Sequence, residues 1–466
     1  MLNMTARPVT TGRAKTRSVE NRARRPALCV RGSASLVLVL ACVSAAPPDA
    51  NAEYRGRVAQ VTQTRGFVVL WDFVKRDAGT GRFDAYKAKG GTADFRLDAL
   101  NYVRDYWGEG RPATYADIPL LGRGPFGQAI EIRAETDPAF RPCLIVPRNR
   151  LHDSGLDVKG PGRSVSMVAW VVRRTGNHAI AGIWHEGTDL AEAGKVASRV
   201  EKGMRQYALF AGLGANEGAS AVHVSDNGAK SFGDKYARNL AVTPEKLKTA
   251  PANPSAADID SAWSVMAFVF DNPRNTVTAY LDGRATEYWI DNPQRHGFFK
   301  WPANGWLQAE LRRAPGLQEG EDPSFPEAQF YTPPETKVLK REVIERSAAR
   351  RVELLTYEFT KVRVTMDKDG SQWRQTRREL VALKVNPFWF GHDLYAPASI
   401  QDGGPFTIGR VIHSGRTVGF TGWIGGVAVF GSALSAKEIW RLSRIGFDAT
   451  AKSGGPRLLC AAGIGQ

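Results

Sequence analysis

One short run constrains the fold of this chain more than any other feature. Residues 164–172 read Ser-Val-Ser-Met-Val-Ala-Trp-Val-Val, rich in β-branched side chains and free of charge. A strand sends alternate side chains to opposite faces, so a run apolar at successive positions buries both faces. The run is far too short to cross a membrane as a helix. It reads as a strand of the kind buried between two sheets. Residues 263–270 are apolar on both faces in the same way and predict a second central strand.

Shorter strand candidates surround these two. They lie at 66–73, 128–132, 144–147, 206–210 and 221–224. Thr276–Leu281 alternates cleanly, with Val277, Ala279 and Leu281 on one face. Asp282-Gly283 follows, a dipeptide favoured in type I′ turns because both central residues take positive φ. Residues 284–290 then predict the returning partner strand. The stretch 291–400 reads as an insertion, with Pro, Gly and charge in its first half. Within it, 335–351 predicts a short helix. Residues 352–366 and 377–385 predict a β-hairpin projecting from the body, turned at 367–370. Near the C-terminus, 406–410 and 420–430 are strands. Ser435 and Glu438 then form a capping box, with Leu434 and Ile439 at the hydrophobic-staple positions. That helix should run to about Arg444 and stop before Gly446, and the tail 448–466 is Gly-rich and loose.

The first 52 residues read as an export signal: an arginine-rich leader, an apolar stretch at 34–46, and the small-residue spacing Ala50-x-Ala52. Two variants stand beside it. Arg24-Arg25 matches a twin-arginine signal poorly, and 39–42 loosely matches a lipoprotein box that would place a lipid anchor on Cys42. The expected location is exported: secreted, periplasmic or cell surface. No later apolar run reaches membrane-spanning length. The formal charge of +16 owes much to the leader, yet the remainder stays basic, so anionic partners fit. After the leader, only Cys143 and Cys460 remain. They either pair, as exported cysteines often do, or both stay reduced.

In order and spacing these segments resemble the laminin-G-like, concanavalin A-like lectin/glucanase superfamily, as found in exported bacterial proteins. Leu70-Trp71-Asp72-Phe73 is similar to its first strand, and the Gly124-Pro125-Phe126-Gly127 segment to its G-x-F-G motif. Residues 164–172, 263–267, 276–283, 406–409 and 420–427 are similar to successive core strands, and 433–439 to the closing helix. Ser264-Val265 stands where the family has two histidines, and Gly425-Gly426 where it has an acidic pair. The resemblance implies an all-β, concanavalin A-like jelly-roll sandwich of two antiparallel sheets over 53–447, with the β-rich insertion and the short C-terminal helix added. It does not imply one activity, since the fold hosts lectins, glucanases and adhesion modules.

Glucanases of this fold align carboxylates on one strand as Glu-x-Asp-x-x-Glu. The nearest match, Glu135-Thr136-Asp137-Pro138, lacks the last carboxylate and carries a proline that a central strand excludes. Asp226 to Phe232 partly resembles an Asp-box, which is a turn element. His185-Glu186 beside Trp184 is the one close titratable pair with an aromatic neighbour, and its simpler reading is an exposed polar turn. No nucleophile-elbow, zincin, phosphate-loop or nucleic-acid motif occurs.

The resemblance implies calcium as a cofactor, held by converging loop oxygens. Candidate ligands are Asp226, Asn227, Asp234, Asp271 and Asn272. Sugar stacking would use tryptophans in or beside the insertion: Trp289, Trp301, Trp306 and Trp389, with Trp373 further along. Residues 335–384 carry an excess of Lys and Arg that would suit an anionic polymer, or else form a solvated hairpin of mixed charge. The leading expectation is an exported, non-catalytic protein that binds carbohydrate or an anionic surface polymer. The alternatives are a glycan hydrolase using unrecognised carboxylates, and an adhesion component with a protein partner.

Overall fold

Two antiparallel sheets pack face to face, and a third sheet stands beside them, in a computed structural model that describes residues 50–185, 204–228, 240–313, 330–412 and 419–446. The leader through residue 49, Glu186, residues 229–232 of the Asp-box match, Asp234, Cys460 and the C-terminal tail lie outside the described residues.

The eight-stranded sheet runs Phe388–Trp389, Thr276–Leu281, Ser264–Asp271, Val165–Thr175, Thr421–Phe430, Phe67–Trp71, Tyr86–Lys87, and Ile130–Ile132 also pairs with Thr421–Phe430. The seven-stranded sheet runs Leu240–Lys246, Ala219–Val224, Met204–Phe210, Ala179–His185, Phe406–Ile408, Pro142–Val146, Asp98–Asn101. The chain is therefore an all-β sandwich.

Val165–Thr175 is central, as its sequence demands, but only one face meets the other sheet. Val165, Met167, Ala169 and Val171 join the core between the sheets. Val168, Trp170 and Val172 point the other way, into a second apolar layer with Val58, Val61, Ile259, Ile439 and Leu442. Those partners sit on the helices Ala50–Thr62, Ala256–Ala262 and Ala436–Ser443. Helices thus cover the outer face that the sequence assigned to another sheet. Gly426 has a steric reason to be glycine. A Cβ there would lie 2.7 Å from the Phe126 ring and 3.2 Å from Trp170, so no acidic side chain fits.

The Asp282-Gly283 turn forms as expected, with φ of 49° and 81° and Leu281 and Arg284 exchanging both backbone hydrogen bonds. The returning strand does not pair back. Tyr288–Asp291 joins Gln372–Asn386 in the third sheet, and Phe388–Trp389 takes the place beside Thr276–Leu281. The Asn386 side chain makes this crossing satisfiable. Its Oδ1 accepts from Ala279 N at 2.9 Å, and its Nδ2 donates to Ala279 O and Thr286 O at 3.0 Å each. The backbone of Ala279 is therefore not orphaned where the strand partner leaves.

The third sheet is five-stranded, in the order Tyr288–Asp291, Gln372–Asn386, Thr360–Asp369, Arg350–Thr356, Lys340–Arg346. The helix expected at 335–351 is instead the edge strand Lys340–Arg346, paired with Arg350–Thr356. Residues 352–366 divide into two strands at a turn where Tyr357 N donates to Thr360 O. The unforeseen helix Lys300–Arg313 lays Ala303, Trp306 and Ala309 against this sheet. Pro302 in its first turn is compatible with a helix start, where the missing N–H costs nothing, but it hid the helix in the sequence. The closing helix Ala436–Ser443 forms with Ser435 as N-cap and a complete capping box with Glu438.

Candidate functional site

Along the strand Thr360–Asp369 of the third sheet, alternate side chains face the core and the solvent. Val362 and Val364 are buried. Lys361, Arg363, Thr365 and Asp367 take the opposite face. Arg363 stands directly across from Glu379, and Arg350 across from Asp367. These become cross-strand ion pairs of 3.8 Å and 2.8 Å. Arg377 adds a second contact to Glu379 at 2.6 Å, and Thr376 Oγ1 donates to Asp367 at 2.7 Å. Together with Ile344, Glu345 and Val352 they line an open groove of about 520 Å³. Its charged lining is three arginines against three carboxylates. Within this groove arginines and carboxylates are equal in number, while residues 335–384 as a whole keep their basic excess.

Trp289 lies on the same face, with the Lys361 ammonium 4.7 Å and the Lys384 ammonium 5.0 Å from its ring centre. Its Nε1 donates to Glu287 at 2.7 Å, and Lys384 bridges the same carboxylate at 2.9 Å. The pairing holds the Glu287 carboxyl below its ordinary value.

The other tryptophans do not share this face. Trp306 is 2 % exposed, donates from Nε1 to Glu335 and has Arg378 over its ring, so it has no surface to offer a ligand. Trp389 is half-buried, with Tyr331 at 5.5 Å and Gly391 so near that any Cβ would meet the indole at 2.2 Å. Trp301 is half-buried, with Lys300 4.6 Å from its ring. Trp373 pairs with Arg351 at 5.3 Å.

Two of the expected calcium ligands come together at one end of the sandwich. Asp226 lies 3.8 Å from His392, and burial raises its carboxyl, against the pull of His392. Asn272 donates to His392 O at 3.3 Å and to Asp393 at 3.0 Å. Asp271 turns instead toward Arg274 at 3.7 Å, and Asn227 accepts from Ser225 Oγ. Among the described residues, the cluster of three with metal-like spacing is a different one: His152, Asp153 and Asp157. There the Lys159 ammonium already sits 2.7 Å from both aspartates, and Arg148 grips Asp157 through both guanidinium nitrogens at 2.7 and 3.0 Å. The protein's own cations occupy the position.

His185 is not on an exposed turn. It ends the strand Ala179–His185 and is 1 % exposed, and burial, with Arg205 nearby, lowers its pKa to about 3. Glu135 follows Ile130–Ile132 outside any strand and accepts from Arg410, while Arg141 lies 2.8 Å away. Burial raises the Glu135 carboxyl, against the pull of Arg410 and Arg141. Cys143 is a free, fully buried thiol, pushed up to about 12 by burial.

The groove was missed in the sequence, although its signal was present. Lys361, Arg363, Thr365 and Asp367 alternate with Val362, Val364 and Met366, the period-two pattern of a half-exposed strand. Which carboxylate would meet which arginine depended on strand register, which the pattern does not contain.

No helix among the described residues is long and apolar enough to cross a membrane. No protein-family model matches the sequence, and no curated protein matches it. Among solved structures, the chain is similar to domain 4 of AbnA, a GH43 extracellular arabinanase from Geobacillus stearothermophilus solved with arabinotriose. That match has 10% identity and a TM-score of 0.33, covering 81% of this chain and 98% of that one. It is similar to the botulinum neurotoxin serotype G binding domain at 9% identity and a TM-score of 0.33, covering 81% of this chain and 51% of that one. A Trypanosoma rangeli sialidase aligns at 10% identity and a TM-score of 0.27, covering 86% of this chain and 38% of that one. Likenesses this distant set neither ligand nor activity for this chain.

Proposed function

We propose that this is an exported carbohydrate-binding protein of concanavalin A-like architecture, and that it holds a neutral polysaccharide along the outward groove of its third sheet. The observation that carries the reading is the groove's charge balance. Sugar hydroxyls both donate and accept, and the groove offers fixed donors on Arg350, Arg363 and Arg377 beside fixed acceptors on Asp367 and Glu379. Ion pairing, across strands for Arg350 and Arg363 and along one strand for Arg377, already restrains these long side chains, so less conformational freedom is lost on binding. Thr365 and Thr376 add hydroxyls, and the exposed Ile344 adds an apolar surface against which the C–H face of a sugar ring packs. A polyanion would instead select an uncompensated run of cations.

Affinity electrophoresis against neutral polysaccharides and a polyuronate tests this. A neutral polymer should retard the protein, and Arg363→Ala should weaken the retardation about tenfold, equivalent to ~1.4 kcal/mol. Retardation only by the polyuronate, fading with added salt, would replace the neutral ligand with an anionic one. No retardation by any polymer would remove the carbohydrate reading from this face.

A further inference from the structure

A second recess lies on the sandwich itself, away from the third sheet, where residues 131–137 pass beside Arg410. It encloses about 260 Å³. This is below the roughly 300–1,000 Å³ of sites that take drug-sized ligands, and closer to the scale of one sugar ring. Its apolar wall is Ile118, Ile132 and Phe140. Its polar floor is Arg410 and Glu135, whose side chains are 4% and 9% exposed.

Arg410 is held rigidly. Nε donates to Pro142 O at 3.2 Å, Nη2 to Arg133 O at 3.0 Å, and Nη1 to Glu135. Gly419 closes over it: a Cβ there would lie 2.5 Å from Nη1. A guanidinium has five N–H groups, so one N–H on each Nη has no acceptor among the described residues. The lining sets Arg111, Arg133 and Arg410 against Asp117, Glu131, Glu135 and Asp137, and the buried Arg141 beside Glu135 evens the charge. Arg111 pairs with Asp117 at 2.5 Å and Arg133 with Glu131 at 3.0 Å. A buried donor pair, a buried carboxylate and an apolar wall around a small recess form a site with both hydrogen-bond roles and no net demand for a charged guest.

We propose that this recess is a second binding site, which takes a single neutral, hydroxyl-bearing unit of the size of one monosaccharide. The choice of a sugar rests on the carbohydrate reading of the groove, but the two sites fail separately. A chain bound along the third sheet and a single unit seated in this recess would give the protein two contacts of different grain, one for length and one for residue identity.

The test is ligand-observed NMR on the full chain with methyl glycosides of glucose, galactose and arabinose, and with methyl glucuronide. At least one neutral glycoside should bind, and its affinity should not change with salt. Thr136→Trp, at an exposed lining position, should fill the recess and weaken binding at least about tenfold. Arg410→Gln should weaken it too, and its melting temperature shows whether the fold survived. The helix-cap variant Ser435→Ala, outside both linings, should leave it unchanged. No binding by any glycoside, binding of the glucuronide alone, or binding indifferent to Thr136→Trp would each overturn the proposal. Glycoside binding that persists while every polysaccharide fails would sink the groove reading and leave this one standing.

Discussion

Trp289 lies just before the insertion and Trp306 within it, and the structure gives them opposite roles. Trp306 is sealed under the third sheet and anchors Glu335. Replacing it with alanine leaves a cavity and a buried carboxylate short of a donor, so Trp306→Ala should cost about 3–5 kcal/mol in urea unfolding. Trp289 stands at the sheet's outer face under two lysines. Trp289→Ala should change stability by less than about 1 kcal/mol, while weakening polysaccharide retardation. Equal stability losses for the two variants would contradict this division. A second residue-scale prediction concerns Asp157. Burial pushes its carboxyl up, but hydrogen bonds from Arg148 and Lys159 and from the Asp153 N–H outweigh burial and hold it below the ordinary value. A depressed folded pKa contributes stability that is complete above the unfolded value near ~4 and is lost as pH falls through the folded one. Asp157→Asn should therefore cost about 3–5 kcal/mol at neutral pH, as expected for breaking a buried pair. The gap from the parent protein should close as the pH drops below ~4. A gap that stays constant down to strong acid would show that the pair is not the source.

Among the elements, the closing helix is the most legible. Ser435 Oγ accepts from Glu438 N, and the Glu438 carboxylate accepts from Ser435 N at 2.7 Å. Leu434 and Ile439 are both buried beside this turn. Every one of these contacts spans fewer than six residues, so spacing alone reveals it. Ser435→Ala should lower stability by about 1 kcal/mol, read from the midpoint of chemical unfolding, with no effect on ligand binding. The strand Lys340–Arg346 shows the opposite case. Its charged, polar run resembles an exposed helix face, and it forms a strand only because Arg350–Thr356 supplies a ladder beside it. The turn at Asp282-Gly283 was readable, but the partner of the next strand was not. Asn386, more than a hundred residues downstream, satisfies the Ala279 backbone in place of a returning strand.

For the whole molecule, charge is the property that changes most between sequence and structure. The formal excess of +16 invites an anionic partner, yet the open groove on the third sheet carries three arginines against three carboxylates. Binding at that face should then be nearly unaffected between low and high salt, when followed by titration calorimetry with a neutral polysaccharide. A steep loss of affinity with salt would mean that counterion release drives binding. What the sequence by itself determined is what short range can encode: strands apolar on both faces, a turn with two positive φ angles, and a capped helix. The tertiary structure decided which long side chains meet. Arg410 finds Glu135 across 275 residues, and Arg363 finds Glu379 only through the register of two strands. Register and sheet order rest on the sum of many weak contacts distributed along the chain. No local spacing records that sum, so the sandwich could be read in advance and its long-range side-chain pairs could not.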